Sequence, residues 1–220
     1  MFPKIDNALL NIGSGANQLV QLGSGGKLPA IDASLLNNLP ANVGASAMSL
    51  LLTQTISSPV SQIDFTTNID ATYKEYMVRG SDITFSSSSG FGVRARVGGA
   101  FKTTGYTYAT VGFGNAFASA VSTSSNDSYF LVIPTYQSLV ATYGNGGFVF
   151  SLTNPAGTSR TKAMYATGGG NGNNYNQGHS YYSGGQYNGN TDTSPIDGLR
   201  LFPVSGVNIT SGVFKLYGIA

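Results

Sequence analysis

One segment of the chain carries side chains suited to recognising a neutral ligand. Residues 165–190 are rich in Gly, Asn, Tyr and Ser and contain no Lys, Arg, Asp or Glu. Tyrosine offers a flat ring with a hydroxyl, and Asn and Gln offer amide groups, which together suit hydroxyl-rich surfaces such as glycans. Interpreted as a long loop, the segment is either functional or disordered, and a tyrosine-rich contact between subunits is a further alternative. The predicted contacts are Tyr175, His179, Tyr181, Tyr182, Tyr187 and Asn188.

The titratable residues give little support for a catalytic nucleophile or for a metal site. His179 is the single histidine, and no G-x-S-x-G segment supplies a nucleophile beside it. The chain has no cysteine, so disulfides, thiolate metal sites and cysteine nucleophiles are excluded. A zinc site needs several His or Cys ligands, and none is predicted.

The carboxylates are few, and their positions favour structural roles over catalysis. A glycosidase needs two carboxyl groups facing each other across a cleft, and Asp64 with Asp70, or Asp192 with Asp197, could converge in principle. Asp64 and Asp197 lie inside strand-like motifs, however, where an Asp commonly accepts from backbone donors or pairs with Arg. We therefore predict no catalytic residue, no metal and no cofactor, and keep a polysaccharide depolymerase as a remote alternative.

Composition favours a mainly β protein. The 220 residues include 30 Gly, 13 Tyr and 12 Phe, and only 9% are charged. Tyr, Phe, Val and Thr favour strands, whereas Gly, Asn and Ser favour turns. A net charge of +2 is too small for a clustered basic face, so no nucleic-acid partner is predicted. The apolar residues 45–52 are too few to span a bilayer, and membrane insertion is not predicted.

The N-terminal part of the chain is predicted to be an extended, oligomerising stem. Residues 18–39 hold many Leu and Ile with no helical period and are broken by Gly, Ser and Pro, so a single copy has no core. Several copies wound side by side would bury the residues Leu19, Leu22, Leu28, Ile31, Leu35, Leu36 and Leu39. A flexible linker is the alternative, although linkers rarely carry so many aliphatic side chains.

This stem also resembles a known family. The segment QLVQLGSGGKLPAIDASLLNNL, residues 18–39, resembles the shaft element of tailed-phage fibre proteins, which carries GKLPA followed by D-x-S-x-L. The resemblance implies a homotrimer whose shaft leads to a β-structured head. We therefore divide the chain into an attachment segment 1–17, a trimeric shaft and hinge 18–49, and a head 50–220. In the first segment, Ile5, Leu9 and Leu10 are predicted to contact another virion protein.

The head is predicted to be a single antiparallel β-sandwich. Apolar residues alternate with period two in many short runs, and no βαβ pattern occurs. In residues 91–97, Phe91, Val93, Ala95 and Val97 share one face and Arg94 and Arg96 the other. The predicted strands are 53–56, 61–66, 73–79, 91–97, 106–113, 129–133, 148–152, 161–166, 196–204 and 213–219. Residues 86–90 and 122–128 are predicted to be solvated connections.

The ends of the head carry a second resemblance. Residues 61–78, SQIDFTTNIDATYKEYMV, and 196–219, IDGLRLFPVSGVNITSGVFKLYGI, resemble the C-terminal, jelly-roll-like sandwich of phage fibre and virion proteins. In such a sandwich the first and last strands lie side by side. Phe214 and Leu216 should then face the core, and Lys215 and Tyr217 should face outward or toward a neighbouring subunit.

Together these patterns predict a phage virion structural protein, located on the virion surface after assembly in the host cytoplasm. The expected form is a short homotrimeric fibre or spike whose head recognises a host-surface glycan. A capsid decoration or head-fibre protein without a receptor role is the alternative.

Overall fold

The described residues form two antiparallel β-sheets. The computed structural model describes residues 47–114, 117–134, 146–171, 178–187 and 192–220. Every strand pairing among them is antiparallel, and these residues contain no helix, which confirms the prediction of a mainly β, sandwich-like fold. The predicted attachment segment and residues 18–46 of the predicted shaft and hinge lie outside the described part of the chain, whereas residues 48 and 49 belong to the first strand.

The strands in chain order are β1 (Met48–Ile56), β2 (Ile63–Phe65), β3 (Glu75–Phe85), β4 (Phe91–Val97), β5 (Ala100–Phe101), β6 (Tyr106–Gly114), β7 (Phe117–Asp127), β8 (Phe130–Ile133), β9 (Gly146–Thr153), β10 (Lys162–Asn171), β11 (Gly178–Tyr187), β12 (Ile196–Pro203) and β13 (Ile209–Ile219). The large sheet has eight strands in the order β1-β13-β3-β9-β10-β11-β6-β7. The small sheet has five strands, in the order β2-β12-β4-β5, with β8 also paired to β4.

Period-two alternation explains which face of each strand is buried. In β4 the side chains of Phe91, Val93, Ala95 and Val97 are buried, whereas Arg94 and Arg96 lie on the opposite face, as predicted. The last strand behaves the same way, because Phe214 and Leu216 are fully buried while Lys215 and Tyr217 are partly exposed. The first and last strands pair along the whole of β1, from Met48 opposite Ile219 to Ile56 opposite Gly212, with one register shift between Leu50 and Leu52.

Aromatic rings join the two sheets. Phe91 of the small sheet lies 5.7 Å from Phe148 and 6.1 Å from Phe214 of the large sheet, measured between ring centroids. Phe85 packs on the same ring at 5.4 Å. Tilted ring pairs at these separations contribute beyond the area that they bury. This ring cluster therefore forms the centre of the core.

The outer face of the small sheet is covered by its own charged side chains. Arg200 donates two hydrogen bonds to the carboxylate of Asp64, at 2.8 and 2.7 Å, and its guanidinium lies 4.0 Å above the ring of Phe101. Asp197 accepts from the backbone N–H of Gly99 at 3.0 Å and lies 3.6 Å from Arg96. The prediction that Asp64 and Asp197 serve backbone donors or arginines is confirmed.

Two predicted loops are strands. Residues 165–190 contain most of β10 and all of β11, which pair from Lys162 opposite Tyr187 to Asn171 opposite Gly178. Residues 122–127 belong to β7, an edge strand whose Ser and Thr side chains lie beside β6. Glycine and serine obscured the alternation in both segments. Residues 86–90 do connect β3 to β4, although Ser89 is buried there and donates to the carbonyl of Gly90 at 2.8 Å.

The ring cluster leads to a stability prediction. Replacing Phe214 by Ala removes a fully buried ring and leaves a cavity against Phe91 and Phe148, which should lower the free energy of unfolding by about 3–5 kcal/mol. Thr55→Ala, at an exposed position on neighbouring β1, is the control and should change it by less than about 0.5 kcal/mol. Urea unfolding followed by circular dichroism measures both variants. Equal losses in the two variants would contradict the assigned core.

Candidate functional site

The outer face of the large sheet carries the exposed large hydrophobic side chains of the described residues. The strand registers place every exposed large hydrophobic side chain of the described residues on this face: Met48, Leu50, Phe113, Val121, Tyr165 and Tyr182. Tyr182 is 64% exposed and Tyr165 is 51% exposed. Four of these side chains, on the adjacent strands β10, β11, β6 and β7, are near enough to form one patch, which indicates an interaction surface, whereas Met48 and Leu50 lie on β1 at the other edge of the sheet.

A groove crosses four strands of this face. The register aligns Tyr165 of β10, Gly184 of β11, Ala109 of β6 and Thr123 of β7. Gly184 has no side chain and Ala109 has a short one, so the surface dips between the ring of Tyr165 and the hydroxyl of Thr123. The groove has a volume of about 580 Å³. A Cβ placed on Gly184 would meet only the ring of Tyr165, at 4.0 Å, so the glycine is not required by packing.

The lining of the groove is neutral and hydrogen-bonding. Thr107, Thr123 and Thr161 contribute hydroxyls, and Gln186 contributes an amide. Thr161 donates to Oε1 of Gln186 at 2.9 Å, which orients the amide and leaves its N–H groups available to a ligand. No Asp, Glu, Lys or Arg lines the groove. An aromatic ring with a few convergent hydroxyl and amide groups can hold an uncharged, hydroxyl-bearing ligand.

Buried polar groups hold the ends of the strands that carry the groove. The ammonium of Lys162, at the start of β10, donates to the carbonyls of Gly157, Arg160 and Thr193, and burial lowers its pKa. The hydroxyl of Tyr187, at the end of β11, donates to Asp192 at 3.1 Å, and burial raises its pKa to about 12. These contacts set where Thr161 and Gln186 lie.

Glycines in β10 make room for a buried tyrosine beneath the face. The Tyr181 hydroxyl donates to the carbonyl of Gly147 at 3.0 Å, and burial raises the pKa of this phenol. A Cβ on Gly168 would lie within 2.4 Å of that hydroxyl and 2.3 Å of the Gly147 carbonyl. Gly168 is therefore required by packing, in contrast to Gly184.

The structure separates the six contacts predicted from the sequence. Tyr182 is exposed on the outer face, and His179 is half-buried near the start of β11, where burial lowers its pKa. Tyr181 and Tyr187 are only 3% and 2% exposed, so their prediction as surface contacts is corrected, because alternation along β11 turns both rings inward. Tyr175 and Asn188 lie outside the described residues.

Sequence reasoning missed the residues that line the groove. Tyr165 and Gln186 fall within the segment 165–190, but only their period-two spacing from Thr167 and Gly184 could have placed them on one face. Thr107 and Thr123 come from distant strands, and only the strand register brings them to the same place.

No family model matches the chain, and no curated protein matches it. In the described part of the chain, no helix is long and apolar enough to cross a membrane.

The two kinds of glycine predict opposite effects of substitution. Gly184→Val should raise the free energy of unfolding by about 0.5–1 kcal/mol, because Gly weakens a strand and the added side chain enters the open groove. Gly168→Ala should lower it, because its Cβ would press on the Gly147 carbonyl and on Tyr181. Urea unfolding of both variants checks this contrast. A Gly184→Val protein as unstable as Gly168→Ala would show that the groove floor is closed.

Proposed function

We propose that this chain is a phage virion structural protein, a short trimeric fibre or spike whose jelly-roll-like head recognises a host-surface glycan. Two lines of support meet here. Residues 18–39 resemble the trimeric fibre shaft, and residues 61–78 and 196–219 resemble virion head domains. The antiparallel two-sheet head is compatible with that class. The proposed location is the virion surface, with the N-terminal residues bound to other virion proteins.

The observation that carries the glycan assignment is the neutral groove beside Tyr165. A sugar ring presents C–H groups on its faces and hydroxyls around its edge. The exposed ring of Tyr165 can pack on such a face, while the hydroxyls of Thr107, Thr123 and Thr161 and the Gln186 amide can bond the edge. The absence of charged groups from the lining avoids burying an unpaired charge when the ligand displaces water.

A capsid decoration or head-fibre protein without a receptor role is the second candidate. The exposed Met48 and Leu50 favour it, because they lie where the chain enters the sheet and suit a contact with another virion protein. The depolymerase alternative gains no support from the groove, whose lining contains no carboxylate pair.

Glycan recognition is tested with two variants of the groove. Tyr165→Ala removes the ring and Gly184→Val fills the floor, and each should weaken binding to host-surface polysaccharide at least about tenfold, which corresponds to about 1.4 kcal/mol. Binding of purified protein to host cells and to extracted polysaccharide is measured by fluorescence and by titration calorimetry.

Val121→Thr is the matched control for these variants. It changes an exposed apolar side chain on the same face but outside the groove lining, and it should leave binding unchanged. Tyr182→Ala then shows whether the site extends along β11. Groove variants that bind like the unaltered protein, while folded, would leave the decoration role as the better account.

The proposed stem leads to two predictions, one on the mass of the assembly and one on attachment to the virion. Light scattering should give three times the 22.8 kDa chain mass at micromolar concentration. Deleting residues 1–17 should leave the protein trimeric, because the shaft residues 18–39 remain, but should abolish incorporation into virions. A well-folded single chain, or normal incorporation after the deletion, would contradict these assignments.

A further inference from the structure

Two cations lie side by side on the outer face of the large sheet. The register places Arg79 of β3 directly opposite Lys215 of β13. Side chains that are directly opposite in an antiparallel pair lie about 5 Å apart at Cβ, and like charges there are destabilising. Among the described residues neither cation forms an ion pair, since the ion pairs join Arg96 to Asp197 and Arg200 to Asp64. The pair therefore lacks a neutralising partner within the described residues.

The charged groups nearby do not relieve this repulsion. The side chains beside the pair on the same face are Thr53 of β1, opposite Lys215, and Val149 of β9, opposite Arg79. The carboxylates of β3 are Glu75 and Asp82: Glu75 is four residues from Arg79, about 13 Å along a strand, and Asp82, which has a φ of 53°, lies beyond the register shift that follows Gly80. The strands β1, β9 and β13 carry no Asp or Glu.

The two cations border a small pocket that carries further donors. Arg79 and Lys215 line it together with Ser81, Val213 and Tyr217, and its volume is about 220 Å³. This space is several times the roughly 30 Å³ of a water molecule, so a carboxylate or phosphate group fits inside. The hydroxyls of Ser81 and Tyr217 can donate to an oxyanion that the guanidinium and ammonium hold by charge.

The pocket continues into a second depression that points toward the neutral groove. This depression shares Arg79 and Ser81 with the pocket, passes Gly147, and ends at Thr167 of β10, with a volume of about 290 Å³. Thr167 lies two residues from Tyr165 on the same face of β10. From β3 to β10 the sheet advances two strands, about 10 Å, which is the scale of one or two sugar units.

We infer that the pocket between Arg79 and Lys215 binds an oxyanion, a carboxylate or phosphate carried by an acidic saccharide. The oxyanion neutralises the opposed cations and accepts hydrogen bonds from Ser81 and Tyr217, while neighbouring sugars follow the depression over Gly147. The identity of the carrier rests on the proposed glycan function. The proposal of an oxyanion site itself rests on the two opposed cations and on the pocket that they line.

The experiment measures anion binding separately from sugar binding. Thermal unfolding is followed in up to 10 mM sodium phosphate against sodium chloride at equal ionic strength. The unaltered protein should gain melting temperature with phosphate, and Lys215→Gln and Arg79→Gln should lose that gain. Arg160→Gln, the same charge change at an exposed position outside the pocket, should keep it. Without phosphate, Lys215→Gln should be at least as stable as the unaltered protein, because the repulsion is gone.

The carrier is tested with a glucuronic-acid oligosaccharide and a glucose oligosaccharide of equal length. The acidic one should bind at least about tenfold more tightly, and Lys215→Gln should remove that preference. Equal affinities would overturn the acidic-saccharide carrier. A phosphate effect no larger than that of chloride, or one that persists in the Arg79→Gln/Lys215→Gln double variant, would overturn the site. Tyr165→Ala should keep the phosphate effect, so failure of the groove and failure of the anion site are distinguishable.

Discussion

The packing of aromatic rings between the two sheets is the constraint on which the rest of the described structure depends. Phe148 and Phe214 of the large sheet meet Phe91 of the small sheet, and each of these rings is almost completely buried. A sheet has two faces, and this contact uses one face of each. A shift of one residue in the pairing would turn these rings to the outer face. Because apolar burial is the main stabilising term, the observed strand registers are the ones that keep the rings inside.

The two faces left outside have opposite character. On the small sheet, Asp64 neutralises Arg200 with two hydrogen bonds, and Arg94 and Arg200 cover the rings of Phe202 and Phe101. Those groups satisfy each other and need no partner. On the large sheet, Tyr165 and Tyr182 stand exposed and the cations Arg79 and Lys215 face each other. The chemistry available to a ligand is therefore concentrated on the large sheet.

Much of the fold follows from local alternation, and the groove does not. Strand β4 was predicted with its observed bounds because Phe91, Val93 and Ala95 alternate with polar side chains. Strand β11 was missed, because Gly184 and Gly185 interrupt the pattern and resemble loop residues. Sequence cannot distinguish a glycine that clears space for a buried ring, such as Gly168, from one that opens a surface groove.

The candidate site depends on long-range register, which no local pattern encodes. Tyr165 and Thr123 are far apart in sequence and share the groove only because β11 and β6 lie between their strands. The same holds for Arg79 and Lys215, which are brought together by the pairing of β3 with β13. Composition predicts tyrosine and amide chemistry in residues 165–190, whereas the threonines that line the groove lie outside that segment. The inward direction of Tyr181 and Tyr187 could be read only from the pairing of β10 with β11.

The pairing of β1 with β13 also has a mechanical meaning. The chain enters the sheet at Met48, and the ladder runs from there, opposite Ile219, to Ile56, opposite Gly212. Tension applied to Met48 along the strand axis loads the backbone hydrogen bonds between β1 and β13 together, in shear. A pull perpendicular to the strand loads these hydrogen bonds one after another. A force that reaches the sheets through Met48 is therefore resisted best when it runs along β1.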